Sequence, residues 1–171
     1  METTAGLKNI RLRRMTRRDL PDVLKIERLS FPNPWPPSTF EGEIQNIGLS
    51  HPLVAVDEAA DRITGYIFYW VIRDEVQINN IAVHPDYRRR RIAEDMVRGI
   101  LDALKNDGGQ FVSLEVRAGN AAARSLYDKL GFKPIGLRKE YYSNPVEDAV
   151  VMGLAFGPVR FDGGKTPGRK T

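Results

Sequence analysis

Glu115 and Tyr127 are the two side chains whose placement in this sequence could support acid-base chemistry. Glu115 lies between Leu114 and Val116 in an alternating run, where burial of its carboxylate is costly unless it is paired, hydrated or protonated. Tyr127 falls on the apolar face of a short alanine-rich helix, where its hydroxyl is the one polar group of the side chain. Both residues also have simpler explanations: Arg117 on the same strand face could pair with Glu115, and Tyr127 could be a core tyrosine.

A second candidate site is the run of four arginines, Arg88 to Arg91, between a predicted strand and a predicted helix. The first backbone N–H groups of a helix have no partner inside it, and with the positive end of the helix dipole they favour an anion. Cationic side chains repel this end of the dipole unless an anion compensates them. The run therefore predicts a phosphate site, with a solvated basic patch that binds nucleic acid as the alternative.

The composition excludes several classes of chemistry. The chain has 171 residues, of which 42% are hydrophobic and 28% charged, as expected for one globular domain. Because it contains no cysteine, disulfides, thiolate metal sites and cysteine nucleophiles are excluded. Its two histidines, His51 and His84, lie far apart in the sequence, so we expect no metal site.

The distribution of charge and hydropathy bears on location and partners. No apolar run approaches the roughly 20 residues needed to cross a bilayer, and the first residues lack the apolar core of a signal peptide. We therefore expect a cytoplasmic protein without membrane contact. The net charge of +4 is unevenly spread: residues 29–72 hold one arginine and no lysine against five acids. That acidic stretch disfavours nucleic acid and would suit a cationic substrate.

The elements that must hold these residues make up one α/β domain. We expect a mixed, mostly antiparallel central sheet of about seven strands, with a parallel crossover at its centre and about four helices. The domain should span residues 7–156, after a short tail at 1–6 and before a Gly-, Pro- and Lys-rich segment at 157–171 that we predict to be disordered. Strands are expected at 7–13, 52–56, 63–72, 76–83, 111–117, 132–142 and 148–156, and helices at 16–30, 38–47, from the arginines to 106, and at 121–130.

Local signals set the ends of the first two helices. Thr16 and Asp19 have the spacing of a capping box, and Ser38 could cap the second helix. Between these helices lies a proline-rich segment, 31–37, that cannot be regular helix. Its Trp35 could pack on the core, contact a ligand, or do both. The apolar face of the first helix is predicted to consist of Leu20, Val23, Leu24, Ile26 and Leu29.

Three segments, INNIAVHPDYRRRRIA, LEVRAGNAAARSLYDKLGF and KEYYSNPVEDAVVMGL, resemble the GNAT (GCN5-related N-acetyltransferase) superfamily. Within it they are most similar to the ribosomal-protein alanine N-acetyltransferase (RimI) group and its archaeal Ard-type relatives. The similarity covers roughly residues 7–156, and FPNPWPPSTF resembles the substrate-side helix region of that group. The resemblance implies the acyl-CoA N-acyltransferase fold and a cytoplasmic enzyme that transfers acetyl from acetyl-CoA to a protein N-terminus.

The resemblance also implies roles for individual residues. Glu115 would accept the proton of the acceptor amine, usually through water, and Tyr127 would return a proton to the departing thiolate. The acceptor would be a protein or peptide N-terminus, such as that of a ribosomal protein, and the need for an auxiliary subunit stays open. The cofactor-binding residues implied by the resemblance are Ile81, Ala82, Val83, Arg88, Arg89, Arg90, Arg91, Ile92, Ala93, Glu94 and Asn120.

One position departs from the pattern of the superfamily. Arg91 stands where its phosphate loop has glycine, the residue that lets the backbone approach a pyrophosphate closely. Arg91 must therefore point away from the ligand or supply a charge of its own. On the acceptor side, Tyr141 and Tyr142 match a tyrosine pair that borders the peptide entrance in related enzymes, and cross-strand packing is their alternative role.

Three functions compete at this stage. The first is the peptide α-amine acetyltransferase just described. The second is an acetyltransferase for lysine or small amines, because one fold serves many acceptors. The third, of a different class, is an RNA- or ribosome-binding module that uses Arg88 to Arg91.

Overall fold

A single seven-stranded sheet organises the part of the chain that the computed structural model describes, residues 9–156. The tails predicted at 1–6 and 157–171 lie outside the described residues. Strands are β1 (Ile10–Arg14), β2 (Ser50–Asp57), β3 (Arg62–Ile72), β4 (Glu75–Val83), β5 (Phe111–Arg117), β6 (Lys133–Tyr142) and β7 (Glu147–Ala155). Helices are α1 (Leu20–Ser30), α2 (Pro37–Gln45), α3 (Ile92–Asn106) and α4 (Ala121–Lys129), with 3-10 turns at Arg17–Asp19 and Pro85–Tyr87.

The strand order is β1-β2-β3-β4-β5-β7-β6. All neighbouring pairs are antiparallel except β4 and β5, which α3 connects as a parallel crossover. The predicted fold class, a mixed and mostly antiparallel sheet with a central parallel crossover, is confirmed. The order of the last two strands adds a feature that the sequence did not reveal, because β7 inserts between β5 and β6.

The two parallel strands separate before they end. Their pairing runs from Glu75 opposite Phe111 to Ile78 opposite Leu114, and then stops. β4 continues to Val83 along β3, whereas β5 continues to Arg117 along β7. Among residues 9–156, no strand pairs with the backbone of residues 79–83 on the side that faces β5, and a gap opens in the middle of the sheet.

Apolar side chains cover both faces of the sheet. On one face the α3 residues predicted from their spacing are buried against β4 and β5. On the other face, Val23 and Ile26 of α1 and Phe40 of α2 pack with Tyr66 and Phe68 of β3. The buried side chains of α3 are Ile92, Met96, Val97, Ile100, Leu101 and Leu104.

The first helical segment begins as predicted but differs in the face that it buries. The capping box is confirmed, since the Thr16 backbone N–H donates to Asp19 at 2.7 Å. The next residues form a 3-10 turn, so that α1 itself begins only at Leu20. Leu29 was wrongly assigned to the apolar face, because it is 51% exposed, whereas Glu27 is 1% exposed.

The second helix begins earlier than its predicted cap. Ser38 was wrongly placed at the N-cap, because α2 starts at Pro37 with Pro36 in the capping position. Proline suits the first helical position, where its missing N–H would have had no partner within the helix. No helix within residues 9–156 is long and apolar enough to cross a membrane.

Candidate active site

A cavity of about 560 Å³ opens where β4 and β5 separate. Its inner wall comes from these two strands and from α4. Its outer wall comes from the segment between α1 and α2 and from the end of β6. Of the predicted site residues, those that line the cavity are Trp35, Ile81, Glu115, Asn120, Tyr127, Tyr141 and Tyr142.

The carboxylate of Glu115 borders this cavity and is 13% exposed. Its Oε1 forms an ion pair of 2.9 Å with Nε of Arg138, which lies on β6 beyond the intervening β7. Arg117, the partner considered from the sequence, lies 3.6 Å from Glu147 and stacks over the ring of Tyr142 at 4.2 Å. The guanidinium of Arg138 compensates the buried charge and orients the carboxylate at the cavity wall.

Tyr127 lines the same cavity from α4 and is 5% exposed. Its ring packs edge-to-face on Phe132, with 5.7 Å between the centroids. Burial, together with the nearby Tyr142, raises the pKa of Tyr127 to about 12. The phenol therefore stays protonated at neutral pH, and a core position and a role as proton donor are compatible.

The unpaired edge of β4 is the first part of a possible cofactor site. Ile81 lines the cavity, whereas Ala82 and Val83 lie beyond its lining. The Val83 carbonyl already accepts a bond from Nε of Arg88 at 3.3 Å. Asn120 caps α4 by accepting the Ala123 N–H at 3.1 Å. An extended ligand with amide groups could pair with the free β4 edge as a further strand would.

The arginine turn supplies the second part. α3 begins at Ile92, and the first intrahelical bond is donated by the Asp95 N–H to the Arg91 carbonyl at 2.9 Å. The backbone N–H groups of residues 91–94 thus have no partner within the helix, as an anion site requires. Arg91 adopts φ 61°, the left-handed conformation that glycine favours, and Arg89 does so at φ 63°. The turn therefore keeps the backbone shape that the glycine of the superfamily would give.

The side chains of this turn contribute unequally to the expected cofactor site. Ile92 is buried in the core, and Glu94 pairs with Arg98 at 2.9 Å and with Lys129 at 3.0 Å. At these two positions only the backbone can face an anion. Arg90 lies over the ring of Tyr87 at 4.9 Å. The residues of the turn whose side chains are exposed are Arg88, Arg89, Arg90 and Arg91, and Ala93 is half-buried.

Aromatic residues form the outer wall on the acceptor side. Trp35 packs on Phe40 at 5.9 Å and on Phe68 at 6.2 Å between ring centroids, and it also lines the cavity. Tyr141 and Tyr142 pack edge-to-face at 5.1 Å and line it too. Trp35 therefore packs on the core and also faces the cavity, whereas Tyr141 and Tyr142 pack on each other at the cavity wall.

The polar residues of the cavity that were not predicted include Glu27, Asn33 and Asn80. Nδ2 of Asn33 donates to the Ser143 carbonyl at 2.5 Å and so joins the two segments of the outer wall. Glu27 follows Val23 by four residues, which is core-facing spacing, and this signal could have revealed it. Asn33 and Asn80 gave no comparable signal in the sequence.

A sheet that separates at its central parallel pair, beside a helix start suited to phosphate, defines the class of N-acetyltransferases that use acetyl-CoA. The profile of the acetyltransferase (GNAT) family matches residues 20–132. The chain therefore belongs to this family.

The proteins to which the chain is similar include alanine N-acetyltransferases of ribosomal protein bS18 and an N-alpha-acetyltransferase. The chain is 37% identical over 138 residues to the [ribosomal protein bS18]-alanine N-acetyltransferase of Salmonella typhimurium, covering 80% of this chain and 90% of the relative. It is 32% identical over 147 residues to an N-alpha-acetyltransferase of Saccharolobus solfataricus, covering 78% and 86%. The crystal structure of the ribosomal-protein-S18-alanine N-acetyltransferase from Escherichia coli superposes with a TM-score of 0.79 at 30% identity, covering 90% of this chain and 97% of that one. The predicted resemblance is confirmed.

Proposed function

We propose that this enzyme acetylates the α-amine of a protein N-terminus, with a ribosomal protein that begins with alanine as its first candidate acceptor. The observation that carries the proposal is that Glu115 and Tyr127 line one cavity, bounded by the free β4 edge on one side and by aromatic residues on the other. The names of the relatives support a terminal amine over other acceptors. The proposed setting is the cytoplasm, with an auxiliary subunit as an open addition.

In the proposed reaction, acetyl-CoA supplies the activated acyl group as a thioester. The α-amine has a pKa of about 7.7 to 8.0, so much of it is ammonium at neutral pH and must lose a proton before it can attack. Glu115 accepts that proton, directly or through one water molecule. As the new C–N bond forms and the C–S bond breaks, Tyr127 donates its phenolic proton to the leaving sulfur. The nitrogen then loses its second proton to solvent, and a proton from solvent restores the phenol.

The remaining predicted residues bind and orient the co-substrate. Backbone groups of residues 81–83 pair with the amides of its extended arm, and N–H groups of residues 91–94 hold its pyrophosphate. Asn120 contacts it at the start of α4. Arg88 to Arg91 add positive charge around the phosphate site. This charge neutralises the pyrophosphate, and the bound anion in turn compensates the cationic side chains at the helix start.

The acceptor can be identified by mass spectrometry. The full chain is incubated with acetyl-CoA and a peptide that begins with a free alanine and carries an internal lysine. We expect a single acetyl group on the N-terminal nitrogen, and none when the terminus is blocked. Modification of the lysine alone, or faster acetylation of spermidine than of the peptide, would replace the proposal by a lysine or small-amine acetyltransferase.

The role of Glu115 is tested by Glu115→Gln. The variant should lose about 10² to 10⁴ in rate near neutral pH and less at high pH, where the amine is already neutral. Glu41→Gln, at an exposed position on α2, is the matched control and should leave the rate unchanged. A pH–rate profile of Glu115→Gln that matches the wild type would remove Glu115 from the role of base.

A further inference from the structure

Glu27 is a charged residue of the core that also lines the cavity. It is 1% exposed and borders the cavity from α1. Donors on three separate elements bind it: the phenol of Tyr66 on β3, Nδ2 of Asn80 on β4 at 3.1 Å, and the backbone N–H of Trp35 at 2.9 Å. One side chain thus connects two strands with the segment between α1 and α2.

All of these donors are neutral. Within residues 9–156, no lysine, arginine or histidine forms an ion pair with Glu27. A buried carboxylate that only neutral groups bind costs free energy, although charge-assisted hydrogen bonds from well-placed donors offset part of it. Burial and the adjacent Glu27 strongly raise the pKa of Tyr66, so that its phenol stays a donor. A neutral side chain would avoid this cost. The three hydrogen bonds to Glu27 are therefore expected to have a positioning role.

The bond to Trp35 is the one that matters for the cavity. Pro34 and Pro36 lack a backbone N–H, so Trp35 carries the only backbone donor among residues 34–36. Because its prolines stiffen this stretch, the hydrogen bond at Trp35 helps to hold the stretch as one unit. Trp35 lines the cavity opposite the strands, as do Phe31, Pro32 and Asn33 just before it.

We propose that Glu27 is a positioning residue that fixes the segment 31–36 as a preorganised wall for the acceptor peptide. This inference rests on the proposed function, because it assigns the segment to the acceptor. Since the same carboxylate holds Asn80 on β4, it sets the distance between the acceptor wall and the strand along which the co-substrate is proposed to lie. Preorganisation reduces the ordering cost of binding, so its loss should weaken peptide binding.

The test compares Glu27→Gln with Glu43→Gln in the full chain. Glu43, on α2, is a matched control because it also accepts bonds from neutral groups, the Ser50 hydroxyl and Nε1 of Trp70, but does not line the cavity. We expect Glu27→Gln to raise the KM for the peptide about tenfold or more, while the KM for acetyl-CoA stays within about twofold. Glu43→Gln should change neither KM. A peptide KM that is unchanged in Glu27→Gln, or raised equally in Glu43→Gln, would overturn the proposal.

A second measurement does not depend on turnover. The Trp35 amide of the wild type should exchange its hydrogen about tenfold or more slowly than the same amide in Glu27→Gln. Equal exchange in the two proteins would overturn the proposal. If Glu27→Gln does not fold, Glu27→Asp takes its place: its shorter side chain should also raise the peptide KM and speed exchange, and wild-type values would refute the inference. A wild-type chain that acetylates no peptide would refute the proposed function itself, and the exchange comparison would still show whether Glu27 orders the segment.

Discussion

At the scale of single residues, Glu115 shows both what a sequence can reveal and what it cannot. The motif around it identified Glu115 and Tyr127 as the pair to examine, and both line the cavity. The partner of Glu115 could not be found in the same way. Arg138 is on β6, and it reaches Glu115 at 2.9 Å across the intervening β7, a proximity that the sequence does not show.

Replacement of Tyr127 by phenylalanine should lower kcat by about 10² or more and leave both KM values nearly unchanged, because only the proposed proton donor is removed. Since the pKa of Tyr127 is raised to about 12, the phenol remains a donor up to that pH. The wild-type rate should therefore show no loss from ionisation of Tyr127 below about pH 11. Initial rates across pH measure both effects.

Tyr69→Phe is the control for this experiment, because Tyr69 is a half-buried tyrosine of β3 that does not line the cavity. Its kcat should equal that of the wild type. A Tyr127→Phe enzyme with full kcat would assign Tyr127 to core packing alone.

The backbone of Arg91 leads to a prediction about stability. A residue with a Cβ at positive φ lowers the free energy of unfolding by about 1 kcal/mol or more relative to glycine, and Arg91 has φ 61°. Arg91→Gly and Arg91→Ala remove the same charge, so their difference isolates the backbone. The free energy of unfolding of Arg91→Gly should exceed that of Arg91→Ala by about 1 kcal/mol in urea titrations.

The same pair of substitutions at Arg90, which is not at positive φ, gives the comparison. The Arg90→Gly variant should be no more stable than the Arg90→Ala variant. If Arg91→Ala were as stable as Arg91→Gly, the left-handed conformation would carry no cost at this position.

At the scale of secondary-structure elements, α3 was predictable because its apolar residues recur at helical spacing, and all six are buried. The buried face of the first helix was less predictable. Leu29 was expected in the core but is exposed, whereas the acidic residue Glu27 is buried. Spacing identifies the buried face, but it cannot show that a carboxylate there finds Tyr66 and Asn80 on strands far away in the chain.

The start of the first helical segment gives a prediction about pH. Burial opposes ionisation of Asp19, but two hydrogen bonds of 2.8 Å from Arg13 and one of 2.7 Å from the Thr16 N–H outweigh it and lower its pKa. A lowered folded-state pKa stabilises the protein above the ordinary pKa, and this contribution is lost as the pH falls below it. Asp19→Asn should lower the free energy of unfolding by about 1 to 3 kcal/mol at pH 7.

That difference between wild type and Asp19→Asn should shrink as denaturation is repeated at pH values below about 4. Asp22→Asn, at an exposed position in the first turn of α1, serves as control and should cost less than about 0.5 kcal/mol. A difference for Asp19→Asn that is constant with pH would show that the charge of Asp19 does not stabilise the fold.

At the scale of the whole molecule, the sequence predicted a parallel crossover, and the crossover determines where the site lies. The separation of β4 and β5 after Ile78 and Leu114 could not be predicted, because it depends on how β3 and β7 hold the two strands apart. The resulting cavity is shared by the residues proposed for co-substrate and acceptor.

A shared cavity predicts direct transfer in a ternary complex. Initial rates at varied concentrations of both substrates should give intersecting double-reciprocal lines. The intact mass of the enzyme should not change after exposure to acetyl-CoA alone, in keeping with a chain that has no cysteine. An acetylated enzyme that passes its acetyl group to a peptide after acetyl-CoA is removed would contradict this prediction.

Within the described part of the chain, the edge of β4 past Ile78 lacks a strand partner, and this affects the lifetime of the protein. Under the proposed function, the co-substrate completes hydrogen bonds that the sheet itself leaves open, and it can do so only in the folded chain. A ligand present at 100 times its Kd adds about 2.7 kcal/mol to the unfolding free energy. When the metabolic supply of acetyl groups falls, turnover would slow, and more of the enzyme would also be exposed to proteolysis.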